Sequence, residues 1–455
     1  MSILPSDSTT SSASGTATLP RGRLTLLFMV MLVTAAGNTA MQSVMPSIGT
    51  ALQVEDVWIS LAYTWSALLW MTCAPMWARR SDKRGRKAMM AIGLMGFIAS
   101  FALCGAILWL GLVGWLSSLA TLLLFALARS LYGGFGSAAP PAVQAYVASR
   151  TSRSERTRAL SLLSSSFGLG TVLGPALAPL LIFPLLGLVS PFVAFTLIAV
   201  VVLIALRLRL PDDDPAFAAR GDVVTAPFSA NSNPLPQGSS PDHPLLEHDA
   251  EYGSKNGEVP NLAWTDQRTR PWLVAGVLGG HAQAAVMGII GFLVLDRLGL
   301  RGSPVAGAGP TGLVLMAGAM ATLVAQWGVI PHLHLGPRAS CLSGIVIAAL
   351  GVALLAVATE LHTIALGFSL ASMGFGLFRP GFTAGASLAV SRAEQGQSAG
   401  IIASVNGSAY IVAPALGVWL YGHSPWVGFA VIELLCLAVL VLGFRGMSRD
   451  EALLN

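Results

Sequence analysis

Residues 57–111 read VWISLAYTWSALLWMTCAPMWARRSDKRGRKAMMAIGLMGFIASFALCGAILWLG. Two apolar runs, 57–78 and 88–111, flank a short segment carrying Arg79, Arg80, Lys83, Arg84, Arg86 and Lys87. About 20 mostly apolar residues suffice to cross the hydrocarbon core of a bilayer as a helix, so each run is long enough to span. A charge-dense reversal between two such runs reads as a membrane hairpin whose turn stays in water.

The same reading extends in both directions along the 455 residues. Qualifying runs lie near 23–45, 57–78, 88–111, 118–146, 158–183 and 188–210, then near 272–296, 308–330, 339–359, 362–390, 397–421 and 424–445. That makes twelve predicted transmembrane helices in two groups of six, an all-α membrane protein. Composition agrees: 54% of residues are hydrophobic and 10% charged, against about 25% charged in soluble domains. The net charge of +5 does not signal nucleic acid, because the basic residues sit at the ends of apolar runs. Cys73, Cys104, Cys341 and Cys436 lie in or at the ends of such runs with no CxxC spacing, and read as small hydrophobes.

The chain divides into a tail (1–22), an N-terminal six-helix bundle (23–210), a polar segment rich in Pro, Ser, Asn and Gly (211–270), a C-terminal six-helix bundle (271–446) and a short tail (447–455). The first 20 residues lack the basic start and short apolar core of a signal peptide. The polar segment reads as a disordered linker. Orientation follows from charge. With the N-terminus cytoplasmic, the short cytoplasmic segments hold sixteen Lys or Arg, and the outer loops hold only Arg297 and Arg301. Both termini and the linker are therefore expected in the cytoplasm, with the chain in the inner membrane.

The two halves echo one another. Ser149–Arg150 precedes a helix ending in Gly174-Pro175-Ala176-Leu177, and Ser391–Arg392 precedes one ending in Ala413-Pro414-Ala415-Leu416. Residues 78–87 resemble the loop motif G-x-x-x-D-R-x-G-R-K of the major facilitator superfamily, with Ala78 at the first Gly and Lys83 at the first Arg. Gly85 suits the tight turn, and Asp82 suits a cap or an arginine partner. Residues 129–136 are similar to that family's R-x-x-Q-G-x-G pattern, with Tyr132 at the Gln position. Residues 170–179 resemble its antiporter motif through Gly170, Gly174 and Pro175, with Ala178 and Pro179 replacing the last glycines. Gly170, Gly174 and Ala178 are four apart and make one smooth helix face. The resemblance implies two six-helix bundles in parallel repeat, a gating loop at Asp82, Gly85, Arg86 and Lys87, and the twelve-helix drug:proton antiporter-like branch. It also implies a central cavity lined by helices 1, 4, 7 and 10.

Strongly polar residues fall on those helices: Asn38 and Gln42 on the first, Arg129 on the fourth beside Tyr132, His281 and Gln283 on the seventh, and Arg379 on the tenth. An arginine at mid-membrane costs about 2.5–3.5 kcal/mol on insertion scales, so a polar cavity is the expected setting for both. Glu433 is the one acid well inside a run, and with His281 it is a candidate for proton coupling. Asp296 is expected to pair with its neighbour Arg297. No acid occurs in the first helix, where many drug antiporters carry one. Two arginines and a histidine without a central acid favour an anionic or zwitterionic solute, such as a carboxylate metabolite or siderophore, over a cationic drug.

The expectation is a secondary transporter exporting a small organic solute by proton antiport. Uptake by the same fold and a transporter-derived sensor or scaffold are the alternatives, since the sequence does not encode direction. No H-E-x-x-H, G-x-S-x-G or metal-spaced cluster occurs, so neither enzyme chemistry, cofactor nor metal is expected. The partners expected are the solute, protons and lipid, with the chain a monomer and no nucleic acid bound.

Overall fold

The computed structural model describes residues 20–211 except 149, 151 and 152, and residues 262–450 except 391–393. The N-terminal tail to residue 19, linker residues 212–261 and residues 451–455 lie outside it.

Among the described residues the architecture is helical throughout, apart from one isolated bridge between Phe183 and Gly187. In chain order the helices are α1 (Arg21–Ala51), α2 (Asp56–Arg84), α3 (Arg86–Leu112), α4 (Ser118–Val147), α5 (Arg153–Leu177) and α6 (Ser190–Arg209). The second half comprises α7 (Arg270–Arg297), α8 (Pro304–Leu333), α9 (Pro337–Val357), α10 (Leu361–Leu388), α11 (Gln395–His423) and α12 (Pro425–Gly446). Eleven of these contain stretches long and apolar enough to cross a membrane by length and composition. The remaining one, α5, starts in the arginine-rich stretch at 153. The chain alternates between two ends of the bundle. One, here the basic end, gathers Arg21, Arg86, Arg207, Arg209, Arg338 and Arg445; the other is the far end.

Local chemistry sets the boundaries. Pro304, Pro337 and Pro425 open α8, α9 and α12, where the missing N–H costs no helical bond. The Ser117 hydroxyl accepts from the Ala120 N–H at 3.3 Å and caps α4. Glu360 and Thr363 form a capping box at α10. Gly85 alone separates α2 from α3, at φ +87°, in the region that favours glycine. Two spans are less regular than their apolar runs suggest. A 3-10 turn at Gly136–Ala138 interrupts α4 between Gly133-Gly134 and Pro140-Pro141, and a π-helical stretch at Val324–Val329 interrupts α8.

The glycine face of α5 decides how α1 and α5 meet. A Cβ on Gly170 would stand 2.7 Å from the Leu32 carbonyl oxygen, and one on Gly174 would overlap the Ala36 carbonyl and the Thr39 hydroxyl. The Thr39 hydroxyl donates to the Gly170 carbonyl at 3.3 Å across this contact. The opposite side of α5 meets the other half, where Gly312 of α8 lies against the Pro175 carbonyl and the Pro179 ring. The halves join along α2 with α11 and α5 with α8, and α1 also touches α7 and α8.

At the far end an ionic clasp crosses between the halves. Arg301, in the turn after α7, donates to both carboxylate oxygens of Asp56 on α2 at 2.7 and 2.6 Å. It also donates to Asp296 on α7 at 2.6 and 3.2 Å, while the Tyr421 hydroxyl donates to Asp296 at 3.0 Å. The carboxylates, Asp56 first, hold the Arg301 proton more tightly than usual. This corrects the Asp296–Arg297 expectation. Consecutive residues on a helix do not face each other, and Arg297 instead donates to the Ala356 carbonyl at 3.0 Å.

At the basic end, packing begins eight residues before α7. The Leu262 N–H donates to the Gln397 side chain at 2.6 Å. Arg268 bridges Asp266 and the buried Glu394, each at 2.8 Å. Composition assigned this segment to the linker; paired charges and the buried Leu262 side chain dock it instead.

Replacing Gly174 with Val should lower the Tm of the detergent-solubilised protein, since overpacking costs about 1–3 kcal/mol; an unchanged Tm would contradict the close α1–α5 contact. Arg301→Ala and Asp56→Ala should each lower Tm, and the double variant by less than the two effects added. Strict additivity would mean that the clasp does not couple the halves.

Candidate functional site

A cavity of about 180 Å³ lies between the halves. A single water needs roughly 10–15 Å³ of such space, so this volume suits an organic molecule. Both halves line it. Asn38 and Gln42 come from α1, Tyr63 from α2, Tyr132 from α4 and Pro175 from α5. The second half contributes Gln283 from α7, Thr322 from α8, Ser372 and Arg379 from α10, and Tyr410 from α11. Apolar wall comes from residues such as Phe167, Phe292, Phe368 and Phe375. Among the described lining residues the single charged side chain is Arg379, and there is no Asp or Glu.

The two mid-span arginines are held by the same kind of partner but differ in exposure to the cavity. The Arg379 Nε donates to the Asn406 side-chain oxygen at 2.9 Å, and its guanidinium lies 5.9 Å from the Tyr410 ring centre. Arg379 is 5% exposed and lines the cavity. Arg129 is fully buried and sits behind the lining. Its Nη2 donates to the Asn38 Oδ1 at 3.0 Å, and its guanidinium lies 4.7 Å from the ring of Tyr132 and 5.9 Å from that of Tyr63. Its Nε and Nη1 have no hydrogen-bond partner. Aromatic faces offset part of the desolvation of a cation, by about 2 kcal/mol or more each when water is excluded.

The structure thus gathers Asn38, Gln42, Tyr132, Pro175, Gln283 and Arg379 at the cavity and leaves the other described candidates outside its lining. His281 donates from Nδ1 to the Val277 carbonyl at 2.7 Å, since a carbonyl only accepts. Glu433 is on α12, and its buried Oε1 has no hydrogen-bond partner. Gly170 and Gly174 are packing residues of α5, while Pro175 reaches the cavity. In the loop between α2 and α3 the Asp82 side chain lies outside the described residues. Gly85 makes the turn, the Arg86 Nη1 donates to the Ala145 carbonyl at 2.6 Å, tying α3 to the end of α4, and Lys87 is half-buried beside it.

Sequence reasoning confined the cavity to four helices and missed Tyr63, Tyr410 and Asn406. A signal was present. Asn38 and Asn406 are the two asparagines inside apolar runs, and each meets one of the two mid-span arginines. A residue type that is costly in lipid is informative when it occurs in equal number with the charges needing a partner.

A family model described as Major Facilitator Superfamily matches residues 27–406. The chain is 30% identical over 190 residues to a probable actinorhodin transporter of Streptomyces coelicolor, covering 41% of this chain and 30% of that protein. It is 28% identical over 163 residues to a staphyloferrin B transporter of Staphylococcus aureus, covering 34% of this chain and 35% of that protein. The matched stretches thus span about a third of each relative's length. Among solved structures, a bacterial homolog of the human lysosomal transporter Spinster, in an inward-facing and occupied conformation, aligns with a TM-score of 0.64 at 11% identity. That alignment covers 93% of this chain and 94% of the other.

With the native cysteines replaced, Ser372→Cys in the cavity wall should react with a small water-soluble maleimide. Ser100→Cys, fully buried in α3, should not. Equal labelling of the two would contradict the cavity's position.

Proposed function

The chain belongs to the Major Facilitator Superfamily, and from that premise we propose that it exports a small organic solute bearing an anionic group, by alternating access coupled to proton antiport. The observation carrying this reading is Arg379, a cation on the cavity wall among described lining residues that include no acid. A carboxylate meeting it gains charge-assisted hydrogen bonds, and a cationic solute meets repulsion without a counter-charge. The aromatic wall suits the apolar body of such a solute. One relative is named for staphyloferrin B and another for actinorhodin, so small organic solutes are a reasonable class for this chain too.

The antiport component rests on the α5 glycine–proline motif and its resemblance to the antiporter branch. His281 and Glu433 remain the proton candidates. Neither lines the cavity, so a coupled proton would act on helix packing around α7 and α12 and not on the solute directly. In this reading the basic end faces the cytoplasm, both termini lie on that side of the inner membrane, and the working unit is the monomer. The loop at Asp82, Gly85, Arg86 and Lys87 gates the cytoplasmic side, while the Arg301 clasp keeps the outer side closed.

Everted membrane vesicles carrying the protein give the test, with fluorescein as the anionic probe and rhodamine 6G as the cationic one. Fluorescein should accumulate when the lumen is acidic, and rhodamine 6G should not. Arg379→Gln should cut fluorescein transport roughly tenfold to hundredfold, as expected for losing a charged hydrogen-bond donor worth about 1.5–3 kcal/mol. Fluorescein left outside, or carried no better than rhodamine 6G, would sink the reading. Fluorescein movement in the opposite direction would convert export into uptake.

A further inference from the structure

We propose that Arg129 is a positioning residue: it locks the Asn38 side-chain amide so that the cavity meets only its N–H donors. The cavity thereby selects solutes that carry a neutral hydrogen-bond acceptor, such as a ketone or ester carbonyl, in addition to the anionic group held by Arg379. This deepens the anion reading above and rests on it.

The argument begins with what a guanidinium can do. It has five N–H donors and no acceptor. The atom of Asn38 that faces Arg129 at 3.0 Å must therefore be the oxygen. The reverse orientation would point amide donors at a buried cation. The amide nitrogen lies on the other branch of the same planar group, and Asn38 is part of the cavity wall. Arg129 itself is fully buried and does not line the cavity, so it acts on a solute through Asn38.

Nothing competes for this guanidinium. Nε and Nη1 have no hydrogen-bond partner, so Asn38 is the acceptor that holds it. The Tyr132 and Tyr63 rings, at 4.7 and 5.9 Å, fix the plane from which it donates. Both tyrosines line the cavity and stand with Asn38 between Arg129 and the solute space.

The second half uses the same pair with the roles exchanged. There the arginine, Arg379, lines the cavity, and it donates to Asn406, which does not. Each asparagine oxygen is thus taken by an arginine. What the pairs present to the solute is donor on both sides: the amide of Asn38 from one half and the guanidinium of Arg379 from the other. A solute with acceptors at two points bridges the halves, whereas one with a donor in place of the second acceptor leaves the Asn38 amide unmatched.

Uptake of two monoanionic probes into everted vesicles under an acid-inside gradient tests this. 4-Acetylbenzoate and 4-(methylamino)benzoate share the carboxylate that Arg379 would hold and differ in their second group, a ketone acceptor or an N–H donor. The wild type should favour 4-acetylbenzoate by about tenfold in kcat/KM, the scale of one unmatched buried donor. In Arg129→Met the amide is free to turn, and the preference should fall to within about twofold. Arg129→Lys keeps a donor-only cation facing Asn38 and should restore most of it. Asn38→Leu should abolish the preference, and a full preference kept there would overturn the role. Because the readout is a ratio within one variant, a smaller amount of folded protein does not move it. If the wild type carries both probes without preference, or Arg129→Met keeps the full preference, the positioning role is overturned while the anion reading stands. A loss in Arg129→Lys as complete as in Arg129→Met would assign the effect to packing and also overturn it. If the wild type carries neither probe, the anion reading falls and this inference falls with it.

Discussion

The hydrogen bond from Arg129 to Asn38 is the contact on which the arrangement of the first half turns. A guanidinium fully removed from water in a helical membrane bundle has lost its hydration, and no carboxylate stands among its recorded contacts to replace it. What holds it is one amide oxygen and two tyrosine rings. Those three groups come from α1, α2 and α4, so satisfying one charge fixes the relative positions of three helices. Arg379, Asn406 and Tyr410 do the same for α10 and α11 in the second half. Charge burial therefore acts as an alignment constraint, and its by-product is a cavity wall whose polar groups are oriented before any solute arrives.

Between the halves the constraint is of another kind. Lipid-immersed helices gain little from apolar contact alone, so close approach and polar pairing decide association. Gly170 and Gly174 let α5 lie directly on the α1 backbone, and Gly312 lets α8 lie against Pro175. Gly291 receives the Pro46 ring near the far end, close to where Arg301 joins Asp56 to Asp296. Smooth backbone surfaces can slide and rock, whereas a directional ion pair is either made or broken. Among the described residues the first kind of contact runs along the length of the halves, and the second joins them at the far end.

The fold was legible in the sequence to an unusual degree. Twelve apolar runs, the alternation of basic segments and the D-x-x-G-R-K turn gave helices whose bounds lie within a few residues of the observed ones in most cases. Irregularities within helices were less visible. The 3-10 turn near Gly136 had a signal in Gly133, Gly134, Pro140 and Pro141, but the π-helical stretch at 324–329 had none comparable. The candidate site was half legible. Polarity within an apolar run identified Asn38, Gln42, Gln283 and Arg379. It could not say that Arg129 and His281 lie outside the cavity lining, nor that Tyr63 and Tyr410 belong to it.

By itself, then, the sequence determined what lipid imposes. Backbone polar groups must pair within each helix, spans must be about 20 apolar residues long, and basic residues favour one end. These are constraints on single segments, so single segments reveal them. The tertiary structure alone decided which side of each helix meets which neighbour. Asp296 chose Arg301 and Tyr421 over the adjacent Arg297, Arg129 chose Asn38 across 91 residues of chain, and the motif glycines of α5 met α1. Rotation of a helix about its axis is set by pairwise fit with partners distant in the chain, and a twelve-helix bundle offers many such partners for each apolar face.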